Sequence, residues 1–147
     1  MKILFAASEV APFIKTGGLA DVAGSLPQAL VGAGHEVTVV LPLYQGIGPA
    51  WREQMTFLKW FNIPLSWRQA YCGVFQLERD GVTYWFVDNE YYFKREQIYG
   101  HYDDCERFAF FSRAVLALEE HLDYAPDILH CNDWQTALIP VYLLEEK

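Results

Sequence analysis

Two short segments hold the residue types that could bind a ligand or act on one. The first reads Glu9-Val10-Ala11-Pro12-Phe13-Ile14-Lys15-Thr16-Gly17-Gly18-Leu19-Ala20-Asp21-Val22, with a lysine two residues ahead of a glycine pair that opens a helical pattern. Glycines let the backbone approach a ligand closely, and the first N–H groups of a helix have no partner within it. The helix dipole adds about half a positive charge at that end. Together with Lys15, the Gly17 and Gly18 amides could cradle a phosphate or diphosphate. Asp21, on the first turn of the same helix, could accept hydrogen bonds from a hydroxylated ligand. The same residues also read as a tight turn with a solvated lysine and a capping aspartate, and residue types alone leave both readings open. Neither a P-loop nor a G-x-G-x-x-G fingerprint occurs in the chain.

The second segment is His130-Cys131-Asn132-Asp133-Trp134-Gln135-Thr136-Ala137-Leu138. Asn132 and Asp133 could hydrogen-bond sugar hydroxyls, and Trp134 could stack on a sugar face. On residue types alone, capping of a following helix by Asn132 or Asp133 is the simpler reading, with His130 in a hydrogen-bonded core position.

Other chemistry is sparsely represented. The four histidines, His35, His101, His121 and His130, show no metal-ligand spacing, so no metal and no cofactor is expected. No serine sits in a G-x-S-x-G context. Cys72, Cys105 and Cys131 are odd in number and widely spaced, which argues for a reducing compartment rather than a disulfide framework. Acidic pairs such as Asp103-Asp104 read as solvated surface. The aromatics read as core and loop packing.

The 147 residues are 52% hydrophobic and 20% charged, which excludes intrinsic disorder and suits a single domain. A net charge of −8 makes nucleic acid and anionic membrane poor partners. The apolar run of the N-terminus ends at Glu9, Pro12 and Lys15, short of the about 20 apolar residues of a membrane span and unlike a signal peptide. A soluble, cytoplasmic protein is expected.

These segments need elements to position them. Lys2–Ala7 and Glu36–Leu41 read as buried parallel strands around a helix over Leu19–Val31, a right-handed βαβ unit. Pro27 should kink or split that helix, and Gly32 and Gly34 should end it. Met55–Trp60, Gln69–Glu78 and Val82–Asp88 read as strands, with Asp80-Gly81 a two-residue hairpin turn. Glu90–Asp104 is a long loop with room for a short helix. Glu106–Leu122 is the clearest helix, Asp127–Cys131 a short buried strand, and Asp133–Leu144 a final helix. The expected fold is α/β: a Rossmann-like, mostly parallel sheet with helices on both faces and an internal β-hairpin. Ligands in such sheets bind at the carboxyl ends of the strands, where both segments lie.

The run ILFAASEVAPFIKTGGLADVAGSLPQAL, with its K-T-G-G-L motif at Lys15–Leu19, resembles the N-terminus of the bacterial glycogen synthase and plant starch synthase family. EVTVVLP, DNEYYF-x-R with Tyr99-Gly100, ERFAFFSRAVL and HCNDWQTAL follow in that family's order. The resemblance implies a retaining glucosyltransferase of the two-domain GT-B type that moves glucose from ADP-glucose to the non-reducing end of an α-1,4-glucan. It implies that Lys15, Gly17 and Gly18 face the diphosphate and transferred glucose, and that Asp21 lines the sugar side of the cleft. Many bacterial members carry H-x-H-D-W where this chain has Asn132. No histidine acid–base role therefore transfers to that position, whereas Asp133 and Trp134 match directly. On this basis Asp21 and Asn132 are assigned to the catalytic cleft, and Lys15, Gly17, Gly18 and Asp133 to substrate binding. Family enzymes are considerably longer. The resemblance thus implies that residues 1–147 are an incomplete N-terminal, acceptor-side domain, without the C-terminal nucleotide-binding domain and inactive alone. A plant member would sit in the plastid, although no transit peptide is visible. The alternative is a non-catalytic glucan-binding module or one half of a split enzyme, with Tyr91, Tyr92 and Trp51 as sugar platforms.

Overall fold

The computed structural model describes residues 1–65 and 68–146. In chain order the elements are β1 (Lys2–Ala6), α1 (Gly18–Gly32), β2 (Glu36–Pro42), α2 (Pro49–Arg52), β3 (Thr56–Leu65), β4 (Arg68–Arg79), β5 (Val82–Asp88), α3 (Glu90–Phe93), α4 (Asp104–His121), β6 (Ile128–Cys131), a single 3-10 turn (Trp134–Thr136) and α5 (Leu138–Glu146). The strands form one six-stranded sheet in the order β3-β4-β5-β2-β1-β6. β1 pairs in parallel with β2 and β6, and β2 with β5, while β3 and β4 add an antiparallel extension. The expected α/β architecture is therefore present, with the hairpin continuing the sheet rather than standing apart from it.

β1 and β2 are central and buried on both faces, which is why they read as unbroken apolar runs rather than alternating ones. Tyr84 of β5 accepts a hydrogen bond from Gln28 of α1, while the adjacent Trp85 packs edge-on against Tyr124, just beyond α4. Successive strand residues face opposite sides, so α1 and α4 cover opposite faces. The β4–β5 turn places both Asp80 and Gly81 at positive φ, 53° and 77°, as a type I′ turn requires.

Three expectations are corrected. Pro27 does not split α1; the helix runs unbroken for 15 residues with Pro27 on its buried side. The missing backbone hydrogen bond is offset by burial of the ring. The last helix does not start at Asp133. Asp133 takes a φ of 65° and its side chain accepts the Trp134 amide, so the chain turns through Trp134–Thr136 and α5 begins at Leu138. The pair Asp103-Asp104 is not solvated surface. Asp103 receives both guanidinium nitrogens of Arg95 at 2.5 and 2.8 Å. Asp104 accepts the amides of Gly100 and His101 and pairs at 2.9 Å with Arg107, which is fully buried.

Arg107 also donates to the carbonyls of Tyr92 and Ile98. A buried guanidinium is tolerated only when so many acceptors converge on it. The result is a rigid 94–104 loop that carries Tyr99 back to the carboxyl edge of β1.

The loop after β1 lies directly on α1. The Ala11 amide donates to the Ala20 carbonyl at 3.0 Å, and a Cβ at Gly24 would stand 2.7 Å from the Ala11 oxygen. Gly24 is therefore required by a close approach of backbone to backbone. Gly24→Ala is expected to lower stability by about 1–3 kcal/mol through overpacking. Gly32→Ala adds a methyl that meets nothing within 4 Å and should leave stability level or raise it by up to about 1 kcal/mol. Urea midpoints of the two variants check this, and equal midpoints would count against the tight loop–helix seam.

Candidate active site

Both candidate segments leave the carboxyl edge of the sheet, one from β1 and one from the neighbouring β6. They are joined there by backbone. The Asn132 amide and the Asn132 side-chain Nδ2 both donate to the Ala6 carbonyl, at 3.2 and 2.9 Å. Asn132 thus closes the end of the β1–β6 ladder and does not cap a helix. Its Nδ2 is committed to Ala6, and its carbonyl oxygen is the group left to meet a ligand.

In the first segment the centre is Glu9, whose residue surface is 2% exposed. Its Oε1 accepts the amides of Thr16 at 3.2 Å and Gly17 at 2.9 Å, and its Oε2 accepts the hydroxyls of Thr16 at 2.6 Å and Tyr99 at 2.8 Å. Ser8 Oγ lies 2.5 Å from the same Tyr99 hydroxyl. Burial acts to raise the Glu9 pKa. The hydrogen bonds from Thr16, Tyr99 and the two amides outweigh it and hold the carboxyl below its ordinary value. Burial, with the neighbouring Glu9 charge, pushes the Tyr99 phenol well above the usual range.

This arrangement corrects the expected positive cradle. The Gly17 amide is already bonded to an internal carboxylate, so it does not face a ligand in this conformation. Lys15 Nζ is paired with Asp21 Oδ1 at 2.8 Å, with both side chains more than half exposed. The local balance is Glu9 and Asp21 against Lys15, one net negative charge rather than a surplus positive one. What remains open is the Gly18 amide, the first of α1 and without an acceptor inside the helix by its position, and the exposed Lys15, held by a surface ion pair of little strength.

The glycines themselves are informative. A Cβ at Gly17 or Gly18 would meet nothing within 4 Å. The Gly17 φ of −161° is extended backbone that any residue adopts. Neither packing nor backbone strain within this chain calls for glycine at these positions, so the bare backbone is available to something that approaches from outside.

In the second segment Asp133 combines a φ of 65° with a ψ of −175°, a region used almost only by glycine, and its Oδ1 accepts the Trp134 amide at 2.8 Å. Strain of this kind costs about 1–3 kcal/mol and concentrates at functional loops. Trp134 is half exposed, edge-on to Phe108 at 5.3 Å and tilted against Tyr99 at 6.3 Å. Tyr99 therefore touches both segments, through Glu9 on one side and Trp134 on the other. His130 stacks on Phe5 at 4.6 Å and belongs to the packing of the β1–β6 edge.

The structure thus brings Lys15, Gly17, Gly18 and Asp21 together, and joins Asn132 and Asp133 to them through Ala6 and Tyr99. Glu9 and Tyr99 were missed as site residues. Glu9 had a signal, an acid shortly after a buried apolar strand, whereas Tyr99 carried only its place in the family resemblance, since it arrives from 90 residues away. Of the proposed sugar platforms, Tyr92 is buried, and its hydroxyl bonds to Glu106 and Arg68. Trp51 packs edge-on against Phe13 at 4.8 Å, and only Tyr91 stands well clear of the surface. Among the described residues no cluster of potential metal ligands occurs, and no helix is long and apolar enough to cross a membrane.

If the Asp133 backbone is strained as described, the usual order of alanine above glycine reverses there. Asp133→Gly should be more stable than Asp133→Ala by about 1 kcal/mol or more, read from thermal midpoints of the two variants; the ordinary order would show a relaxed loop.

With this geometry in place, comparison with known proteins is informative. The family model for the starch synthase catalytic domain matches residues 2–147. The chain is 57% identical over 143 residues to a glycogen synthase of Clostridium botulinum (strain Alaska E43 / Type E3), covering 97% of this chain and 30% of that protein. It is 53% identical over 146 residues to a glycogen synthase of Geobacillus stearothermophilus, again with 30% of the relative covered. The catalytic domain of starch synthase IV from Arabidopsis thaliana, bound to ADP and acarbose, superposes with a TM-score of 0.86 at 33% identity, over 96% of this chain and 30% of that one. The chain therefore spans about a third of the length of the relatives it matches, and from its matching sequence and its fold it belongs to the starch synthase catalytic domain family, as part of a glycogen or starch synthase N-terminal region.

Proposed function

We propose that this chain is the N-terminal, acceptor-side portion of a cytoplasmic glucosyltransferase that transfers glucose from ADP-glucose to the non-reducing end of an α-1,4-glucan with retention of configuration. The observation that supports this reading most directly is the open space above Gly17 and Gly18, with the Gly18 amide left without an acceptor at the mouth of α1, at the carboxyl edge of the sheet, in a family whose ligand-bound member holds ADP. In this reading the Gly18 amide and the α1 dipole meet the donor, and Lys15 exchanges Asp21 for a phosphate oxygen. Asp21, once released, accepts from a glucose hydroxyl. Asn132 offers its carbonyl oxygen, and the strained Asp133 turn fixes the opposite wall of the cleft.

The charge balance bears on the mechanism. Transfer requires stabilising a departing diphosphate, and the loop has one cation against two carboxylates. In this reading the remaining positive charge comes from beyond this loop, which fits a site completed by a second, nucleotide-binding domain that closes over the donor.

The test uses the synthase at its full length. Gly18→Val is expected to lower kcat/KM for ADP-glucose at least roughly tenfold while leaving the thermal midpoint unchanged, because the added side chain meets open space. Unaltered kinetics would remove the donor from this loop. The 147-residue chain by itself is expected to show no glucose transfer from ADP-glucose, and transfer by it would overturn the two-domain reading.

A second reading rests on a separate observation. Trp60 and Tyr71 lie stacked at 5.9 Å and 20° on the sheet face of β3 and β4, both strongly exposed. A glucan-binding module would use such a pair. Titration with maltoheptaose should quench tryptophan fluorescence in the chain and not in Trp60→Ala, and a flat titration would dismiss this reading.

A further inference from the structure

We propose that Glu9 is a positioning residue of the donor site: its carboxylate clamps the 15–18 backbone in the one shape that leaves the Gly18 amide and Lys15 facing the ligand. The assignment rests on the sugar-nucleotide reading above and adds to it the group that holds the loop.

The segment has little else to hold it. Residues 15–18 are all exposed. None of the backbone–backbone hydrogen bonds described outside helices and strands uses the amides of Lys15, Thr16 or Gly17. Between Ile14, whose amide is bonded to Val10, and the start of α1, the ties are the Glu9 carboxylate and the exposed Lys15–Asp21 pair. Exposed ion pairs hold geometry weakly, whereas a carboxylate bound to amides and hydroxyls in a buried setting holds it firmly.

Glu9 is itself fixed. Ser8 and Val10 on either side are fully buried, and Tyr99, on the braced 94–104 loop, reaches over to donate to it. The clamp therefore ties an exposed loop to the buried end of β1 and, through Tyr99, to a loop held by the Arg95 and Arg107 hydrogen bonds. A loop shift of about 1 Å is enough to lose most of the advantage of a positioned catalytic group. Glu9 acts through the loop and does not touch the donor.

The division of labour between its oxygens sets the test. One oxygen takes the two amides and the other takes the two hydroxyls. A glutamine can keep this pattern without the charge, its carbonyl accepting the amides and its NH2 group meeting hydroxyls that turn to accept. An alanine cannot.

Amide hydrogen exchange on the chain reads the clamp directly. In Glu9→Ala, Thr16 and Gly17 should exchange at least roughly tenfold faster, and in Glu9→Gln at close to the parent rate. Thr16→Val, an exposed change that removes only one hydroxyl tie, should give a smaller acceleration and keeps the test available if Glu9→Ala does not fold. In the full-length synthase, Glu9→Ala should raise KM for ADP-glucose roughly tenfold with a smaller loss in kcat, and Glu9→Gln should restore it. Exchange that is unchanged in Glu9→Ala or Thr16→Val overturns the clamp, as does a Glu9→Gln enzyme as impaired as Glu9→Ala. If exchange responds as expected while the parent synthase transfers no glucose from ADP-glucose, the donor reading fails and the loop clamp stands.

Discussion

The carboxylate of Glu9 is the constraint on which the site depends. It sits just beyond the end of the buried strand β1, and it gathers an exposed loop, the start of α1 and a distant tyrosine around two oxygens. Desolvation works against a charge in that position. Four donors reverse the balance and keep the group ionised. The same donors are what give the loop a defined shape. Stability of the ionised group and order of the loop are thus one interaction seen from two sides.

That interaction also changes the electrostatic character of the site. A lysine and two glycines suggest a positive pocket, whereas in the folded chain the lysine is paired with Asp21 and the adjacent Thr16 and Gly17 amides are bonded to the buried Glu9 carboxylate. Polar hydroxyl recognition can be supplied by this chain, and phosphate neutralisation only in part. In the proposed reading the rest of the charge compensation falls to a facing domain, so donor binding would be coupled to domain closure.

Much of the scaffold was legible because its signals are local. The apolar runs Lys2–Ala7 and Glu36–Leu41, the three- and four-residue spacing within α4 and the Asp80-Gly81 turn each follow from short-range stereochemistry. The K-T-G-G-L segment and the loop after Cys131 were legible as candidate sites for the same reason. What escaped depended on partners far away in sequence. Pro27 was read by its local effect on a helix, and burial of its ring offset that effect. Asp103 and Asp104 were read as surface, because nothing local shows that Arg95 and Arg107 fold back onto them. Asn132 and Asp133 read as caps of a helix that in fact starts at Leu138; Asn132 bonds instead to Ala6, and Asp133 takes a positive φ and accepts the Trp134 amide.

By itself, the sequence determined the order of the six strands and the longer helices, the hairpin, the two loops at the carboxyl edge of the sheet and the family, since each is written in residue types a few positions apart. Only the tertiary structure decided which groups in those loops are free. Tyr99 crosses 90 residues to reach Glu9, the Gly17 amide is taken while the Gly18 amide is not, and Lys15 is held by Asp21. Hydrogen-bond partners are assigned by proximity in space, and a buried carboxylate takes the nearest donors whatever their separation along the chain.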